Sequence, residues 1–105
     1  MLNIHFLGTA TSSGMPVIGC RCPRCASTDP RNQRYRASLL MKWNGANVII
    51  DTGPEFRLQV IRAGIDRLDA VLYTHEHADH IYGLDDVRMF PDHSAPLPVF
   101  CFPRT

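Results

Sequence analysis

The feature that most constrains this chain is an apolar stretch that runs directly into a cluster of histidines and carboxylates. Ala70–Tyr73 is apolar and β-prone, and Thr-His-Glu-His-Ala-Asp-His follows at once over residues 74–80. Imidazole nitrogen and carboxylate oxygen are ligand atoms that proteins offer to Zn²⁺ or Mn²⁺. A strand that ends in such a loop predicts a metal site at one edge of a sheet. The other interpretation is a polar surface loop that is rich in histidine by chance.

The spacing within this motif suggests two neighbouring metal ions. In an extended chain, His75 and His77 point to the same side and can share one ion. A helical turn after them redirects Asp79 and His80 toward a second ion. Two ions roughly 3.5–4 Å apart form a clamp suited to hydrolysing phosphate esters or acyl bonds. The predicted metal ligands are therefore His75, His77, Asp79 and His80.

An acid at the end of an earlier strand is placed to support this site. The β-prone residues 46–50 lead into Asp51-Thr52-Gly53. A carboxylate at the tip of a buried strand needs a partner, which a metal ion or the outer N–H of a metal-bound histidine would supply. The alternative is an Asp that only forms a turn. Outside the motif, His5 is expected on the polar face of a strand, and His93 has no predicted role.

The cysteines indicate a second, separate metal site. Cys20, Cys22 and Cys25 lie close together, whereas Cys101 stands alone near the end. In a reducing compartment such a cluster more often holds a metal than forms disulfides. Three thiolates can surround one tetrahedral Zn²⁺, with Cys101 or a histidine as the fourth ligand. The competing interpretation is three reduced surface thiols.

Size and charge limit the classes of function. The chain has 105 residues, the size of one small domain, and a formal net charge of +1. A charge so near zero offers no electrostatic argument for nucleic acid or an anionic membrane as a partner. No apolar run approaches the ~20 residues that span a bilayer, and Met1–Leu7 lacks the basic start of a signal peptide. We expect a soluble cytoplasmic protein.

The remaining pattern predicts alternating strands and helices within one domain. Asn44-Gly45 between two β-prone runs is a type I′ hairpin signal. A helix is expected after Pro54, with Gly64 as its stop. Gly8–Gly14, rich in hydroxyl groups, is either a cradle for a phosphate group or a flexible connection. The predicted strands cover residues 1–7, 35–43, 46–50, 69–74 and 99–102, and the predicted helices cover residues 54–64 and 81–90.

Together these motifs resemble the metallo-β-lactamase superfamily, whose fold is an αββα sandwich of two sheets between helices. The histidine motif and Asp51-Thr52-Gly53 match two of its signatures. The loop over residues 8–16, the cysteine cluster and residues 75–86 narrow the resemblance to the phosphoribosyl cyclic phosphate phosphodiesterases of the carbon–phosphorus lyase pathway of phosphonate degradation. The fold class implied is α/β (α+β), as the N-terminal half of that sandwich.

The resemblance also implies a mechanism. It implies two divalent ions, Mn²⁺ or Zn²⁺, at the active site and a separate structural Zn²⁺ held by the cysteine cluster. His75 and His77 would bind one active-site ion, Asp79 and His80 the other, and Asp51 would support the histidines from outside. A water activated by both ions would attack a small cyclic phosphodiester, so Asp79 is also assigned to catalysis.

Members of that family are longer than this chain, and their remaining ligands lie further along. Residues 1–105 are therefore expected to form a partial domain with a broad apolar sheet face uncovered. One alternative is another hydrolase of the superfamily, such as a tRNA 3′-processing nuclease or a cofactor-biosynthesis enzyme. The other is a non-catalytic zinc-binding remnant, stable only as a homodimer that covers the open face.

Overall fold

A five-stranded sheet organises the computed structural model, which describes residues 1–92 and 94–104. The strands are β1 (Asn3–Gly8), β2 (Ser38–Trp43), β3 (Ala46–Ile50), β4 (Ala70–Leu72) and β5 (Val99–Phe100), and they lie in the sheet in chain order. The helices are α1 (Phe56–Ala63) and α2 (Ala78–Ile81), and 3₁₀ turns cover Pro30–Asn32 and Leu84–Met89. This mixed architecture confirms the predicted α/β fold class.

The direction of the strands decides where the loops gather. β2 runs antiparallel to both β1 and β3, whereas β4 is parallel to β3 and β5 is parallel to β4. β1, β3, β4 and β5 therefore run the same way, and the segments that follow them leave from one edge of the sheet. That edge carries the loop after Gly8, Asp51 after β3, and Thr74–His80 after β4.

The hairpin between β2 and β3 confirms the predicted turn. Asn44 and Gly45 both have positive φ, 49° and 80°, as a type I′ turn requires. β2 begins at Ser38 rather than at residue 35, because Arg34 and Arg36 form isolated bridges with Met15 and Ala10 instead of joining the ladder.

One face of the sheet forms the core with α1. Leu40, Ile49 and Val71 are fully buried, and they are neighbours in the pairing register of β2, β3 and β4. Phe56 and Val60 of α1 pack on this face. Burying side chains of this size contributes about 1.5–3 kcal/mol each, so this layer holds the sheet to the helix.

The opposite face of the sheet is apolar and uncovered. Phe6 is 73% exposed and Phe100 is 59% exposed. The apolar side chains of Leu39, Met41 and Trp43 in β2 therefore lie on the outer side of the sheet, whereas Leu40, between them in sequence, faces the core. We define the open apolar face by its in-register residues Ile4, Phe6, Leu39, Met41, Val48, Ile50, Leu72 and Phe100.

The helices differ from prediction in their bounds. α1 begins at Phe56 and ends at Ala63, and the next residue, Gly64, with a φ of 69°, is the expected stop. Of the helix predicted over residues 81–90, only Ile81 is α-helical, as the last residue of α2, and Leu84–Met89 form a 3₁₀ turn. Gly83 separates the two because its N–H donates to the carbonyl of Thr52, at 2.8 Å, rather than continuing a helix. Neither α-helix of the described chain has the length or apolar character needed to cross a membrane. His93 lies outside the described residues.

Candidate metal centre

The site is built around Asp51, at the end of β3. Its φ of 66° is uncommon for a residue other than glycine and costs of order 1 kcal/mol. Two hydrogen bonds maintain this conformation: the Asp51 N–H donates to the carbonyl of Leu72 at 2.9 Å, and the Ser38 hydroxyl donates to the Asp51 carbonyl at 2.8 Å. The side chain is thereby turned toward the loop that follows β4, where it is almost completely buried.

The Asp51 carboxylate accepts three hydrogen bonds from that loop. Oδ1 accepts from the N–H of Thr74 at 2.8 Å, and Oδ2 accepts from the Thr74 hydroxyl and from Nδ1 of His80, both at 2.7 Å. A carboxylate only accepts hydrogen bonds, so Nδ1 carries the His80 proton and Nε2 is left for a metal. Because both oxygens are occupied by donors, we interpret Asp51 as a support for His80 and not as a ligand itself, although it lies within ligand distance of His75 and His80.

Asp79 and His80, predicted to share an ion, face each other across a short gap. Nε2 of His80 lies 3.1 Å from Oδ2 of Asp79, and both side chains are largely buried. Two ligand atoms each about 2.1 Å from one ion lie about 3.0 Å apart at octahedral angles and about 3.4 Å apart at tetrahedral angles. The separation of the two donors therefore fits a shared divalent ion.

The other two predicted ligands lie beside this pair. The ring centroid of His75 is 4.1 Å from that of His80 and 4.5 Å from that of His77. The Thr74 hydroxyl is 2.8 Å from Nδ1 of His75, which leaves Nε2 of that ring free of this contact. His77 is exposed and meets His75 edge-on. The four predicted ligands therefore contact one another in pairs, whereas the group whose donor atoms all lie within 4.8 Å of one another is Asp51, His75 and His80.

Two glycines allow the backbone after β3 to touch the metal loop. A Cβ on Gly53 would lie 2.5 Å from the carbonyl oxygen of Asp79, and one on Gly83 would overlap the carbonyl oxygen of Gly53. The N–H of Thr52 donates to the carbonyl of His80 at 2.8 Å. The Asp-Thr-Gly turn is therefore a platform for α2, and it fixes the backbone of both Asp79 and His80.

Thr74 is the site residue that the sequence argument missed. Its hydroxyl lies between Asp51 and His75 and contacts both side chains. The available signal was a hydroxyl residue directly before the first histidine, at the end of a strand. Below it, the hydroxyls of Thr52 and Tyr73 lie 2.6 Å apart in the core, and burial raises the pKa of Tyr73.

The three clustered cysteines come together as the motif predicts. Their sulfur atoms lie within 4.8 Å of one another. The N–H of Cys25 donates to Sγ of Cys22 at 3.4 Å; this bond, with help from the Cys20 thiol, lowers the pKa of Cys22 to about 7. Because the thiolate is the metal-binding form, this geometry fits one tetrahedral zinc ion. Cys101 is exposed beyond β5 and does not join this group within the described residues.

The sequence of this chain is similar to one protein family and to several known proteins. Residues 46–105 match the family described as the beta-lactamase superfamily domain. An octanoyltransferase of Porphyromonas gingivalis is 53% identical over 83 residues, which cover 78% of this chain and 17% of that protein. A ribonuclease Z of Clostridium acetobutylicum is 36% identical over 62 residues, or 57% and 20% of the two chains. Coenzyme PQQ synthesis protein B of Rhodopseudomonas palustris is 35% identical over 101 residues, or 84% and 33%.

Solved structures share the same fold. A crystal structure of a diphosphatase from the PhnP family superimposes with a TM-score of 0.89 at 45% identity, covering 94% of this chain and 41% of that one. Zn²⁺-bound PqqB from Methylobacterium extorquens gives a TM-score of 0.77 at 24% identity, covering 98% and 38%; this second likeness concerns the fold alone. In these comparisons the chain spans less than half of each relative.

Proposed function

This chain belongs to the β-lactamase superfamily, and we propose that it is the N-terminal part of a metal-dependent phosphodiesterase that hydrolyses a small cyclic phosphodiester of the phosphoribosyl type. The observation that carries the proposal is the hydrogen bond from Nδ1 of His80 to Asp51, which leaves Nε2 facing Asp79. A histidine held by an outer carboxylate and paired with a second donor is the arrangement expected of a metal ligand.

The proposed roles are those that the family resemblance implies. His75 and His77 would hold one divalent ion, Mn²⁺ or Zn²⁺, and Asp79 and His80 would hold the other. When bound, such a pair of ions polarises a phosphoryl group and makes water a strong nucleophile at neutral pH. Asp51 keeps the proton of His80 on Nδ1, so that Nε2 is available.

Two further features support a phosphodiesterase of the PhnP type. The diphosphatase of that family is 45% identical to this chain, and the match covers 94% of this chain. The cysteine cluster, which we propose to hold a structural zinc, stiffens a loop of which Cys20, Cys22 and their neighbours are exposed. A loop with so little buried apolar surface needs such a cross-link to keep one conformation.

A tRNA 3′-processing nuclease is the second candidate, because ribonuclease Z sequences are among the relatives. A net charge of +1 does not provide the basic footprint expected for RNA binding. Acyl transfer is not proposed, since the match to the octanoyltransferase covers only 17% of that protein.

The extent of the matches bears on activity. The aligned part is 41% of the PhnP-family diphosphatase, so more than half of that enzyme has no counterpart in the alignment. We propose that residues 1–105 form a partial domain, in which further ligands are needed to complete both ions' coordination. The isolated chain is expected to hydrolyse bis(p-nitrophenyl) phosphate weakly or not at all.

Metal analysis of the purified chain tests the structural site. We expect about one tightly bound zinc per chain, because three thiolates bind zinc strongly. Changing Cys20, Cys22 and Cys25 together to Ser should remove it, whereas Cys101→Ser should leave the zinc content unchanged. Equal zinc contents in the two variants, or no zinc in the native chain, would contradict the assignment.

A chimera tests the reaction. Residues 1–105 replace the aligned segment of the PhnP-family diphosphatase, and hydrolysis of a ribose cyclic phosphate is measured with added Mn²⁺ or Zn²⁺. His77→Ala and Asp79→Asn should each reduce the rate by more than the roughly 10–100-fold typical of losing an outer-shell partner. Glu76→Gln, an exposed carboxylate in the same loop, is the control and should retain activity. A chimera that cleaves precursor tRNA but no cyclic phosphate would favour the nuclease instead.

A further inference from the structure

Arg36, which lies between β2 and the loop after β1, contacts three segments around the candidate metal centre. Its Nε donates to the carbonyl of Ser12 at 2.6 Å. Its Nη1 forms an ion pair with Glu55, directly before α1, and both side chains are largely buried. Its own carbonyl accepts a 2.9 Å hydrogen bond from the side chain of Gln59. A side chain with so many partners loses its freedom to move and ties those partners together.

The third segment beside Arg36 is the Asp-Thr-Gly turn. A Cβ on Gly53 would lie 3.9 Å from the Cβ of Arg36 and 2.5 Å from the carbonyl oxygen of Asp79. Arg36 and the backbone of Asp79 therefore lie close together on the same side of Gly53. The absence of a side chain at Gly53 leaves the space in which they approach each other.

The Thr11–Gly14 turn is the segment that Arg36 holds in place. Gly14 closes the turn with a 3.0 Å bond to the carbonyl of Thr11, and its φ of 67° is easy only for glycine. The guanidinium carbon of Arg36 would lie 3.9 Å from a Cβ on Gly14. Ser12 and Ser13 are exposed, and the turn leaves the same sheet edge as Asp51 and the histidine loop.

We propose that Arg36 is a positioning residue: paired with Glu55, it clamps the Thr11–Gly14 turn at the edge of the sheet that carries the metal centre, so that the N–H groups of Ser12 and Ser13 and the hydroxyl of Ser12 meet the phosphoryl oxygens of a substrate. This inference rests on the proposed function for the identity of the ligand, but the clamp itself does not require a metal. Exposed N–H groups in a glycine-bounded turn are suited to phosphate oxygens.

Removing either residue of the Arg36–Glu55 ion pair is expected to affect the other. Oε2 of Glu55 and Oε1 of Gln59 are buried and have no hydrogen-bond partner within residues 1–92 and 94–104. The charge of Glu55 is therefore compensated by Arg36 alone among those residues. Removing the guanidinium leaves a poorly solvated carboxylate, which is expected to move toward solvent and release the turn.

Amide hydrogen exchange of the 105-residue chain tests the clamp. In Arg36→Ala, exchange of the hydrogen-bonded amides of Gly14 and Met15 should rise at least tenfold, while the core amides of Leu40 and Ile49 stay protected. Arg36→Lys and Glu55→Gln, which preserve side-chain volume, serve if the alanine variant does not fold. Arg36→Lys retains the positive charge and should keep part of the native protection from exchange. Glu55→Gln removes the negative charge and should keep little of it. Arg88→Ala, which removes an exposed ion pair with Asp85, is the matched control.

Inorganic phosphate, added to the zinc-loaded chain, tests whether the Thr11–Gly14 turn contacts phosphoryl oxygens. NMR shifts of the Ser12 and Ser13 amides should respond to phosphate in the native chain and lose that response in Arg36→Lys. Exchange that stays within twofold of native in Arg36→Ala and Glu55→Gln would overturn the clamp. Phosphate shifts confined to the histidine loop would overturn the contact with the turn and leave the proposed function standing. A chimera that does not hydrolyse a ribose cyclic phosphate would refute the proposed function, and with it the phosphate contact, while the exchange result still decides the clamp.

Discussion

At the scale of single residues, the candidate centre depends on one carboxylate whose two oxygens are both in use. Asp51 accepts from Thr74 twice and from His80 once, all within 2.8 Å. Charge-assisted hydrogen bonds of this kind are short and strong, and they set the orientation of the imidazole. Asp51 thus determines which nitrogen of His80 can face a metal.

Replacing Asp51 with Asn tests this role. The amide keeps the size of the side chain but loses the charge and one acceptor, so it cannot satisfy Thr74 and His80 together. We expect affinity for zinc at the histidine cluster to fall roughly 10–100-fold, measured by competition with a chromophoric chelator. Zinc at the cysteine cluster serves as an internal control. Unchanged affinity at the histidine cluster would mean that Asp51 only shapes the turn.

At the scale of elements, the parallel pairing of β3 with β4 decides that Asp51 and the histidine loop meet. Asp69 secures the start of this pairing: Oδ2 accepts from the N–H of Asn47 at 2.7 Å, and the N–H of Asp69 donates back to the Asn47 carbonyl at 2.9 Å. Arg67 adds a 2.9 Å bond to the other oxygen. The hydrogen bond from Asn47, and then the charge of Arg67, lower the pKa of Asp69.

A lowered pKa in the folded state makes the contribution of Asp69 depend on pH. Its stabilisation is present above the ordinary carboxyl value of 3.8 and is lost as the pH falls through the lower folded pKa. Asp69→Asn should therefore reduce the free energy of unfolding by about 1 kcal/mol at pH 7, with the difference disappearing as the pH falls below the folded pKa of Asp69.

Urea unfolding across this pH range measures the effect. Asp85→Asn, which alters an exposed pair with Arg88, should leave the unfolding free energy nearly unchanged at every pH. A destabilisation by Asp69→Asn that is the same at pH 7 and at a pH below the folded pKa of Asp69 would show that the charge is not responsible.

At the scale of the whole molecule, the unusual feature is a sheet with only one face covered. The open apolar face includes side chains as exposed as Phe6, at 73%, and Phe100, at 59%. Monomeric proteins rarely expose continuous apolar patches above a few hundred Å². A face of this kind would gain stability from any partner that removes it from water.

The isolated chain is expected to self-associate through this face. Sedimentation equilibrium should show dimers or larger species at micromolar concentrations, because a second copy of the chain would remove exposed apolar side chains such as Phe6 and Phe100 from water. Phe6→Lys with Phe100→Lys should shift the chain toward monomer. Ile61→Lys changes an equally exposed residue on α1, outside the face, and should have no such effect. A native chain that stays monomeric at several hundred micromolar would contradict this expectation.

The sequence by itself determined the features that depend on short spacings: the donor types in residues 75–80, the cysteine cluster, the Asn44-Gly45 turn and the Gly64 stop. Each of these is decided by neighbours within a few residues, where backbone geometry leaves few choices. The bounds of β2 and of the predicted helix at 81–90 were wrong, because long-range partners such as Ala10 and Thr52 took over their backbone groups.

Only the tertiary structure decided how distant segments meet. Asp51 and His80 are 29 residues apart, and Arg36 and Glu55 are 19 apart, so no local pattern could pair them. The alternation in β2 likewise could not reveal which of its two apolar faces packs on α1. Such contacts arise from strand order and direction, which follow from burying one common core rather than from the propensity of any single segment.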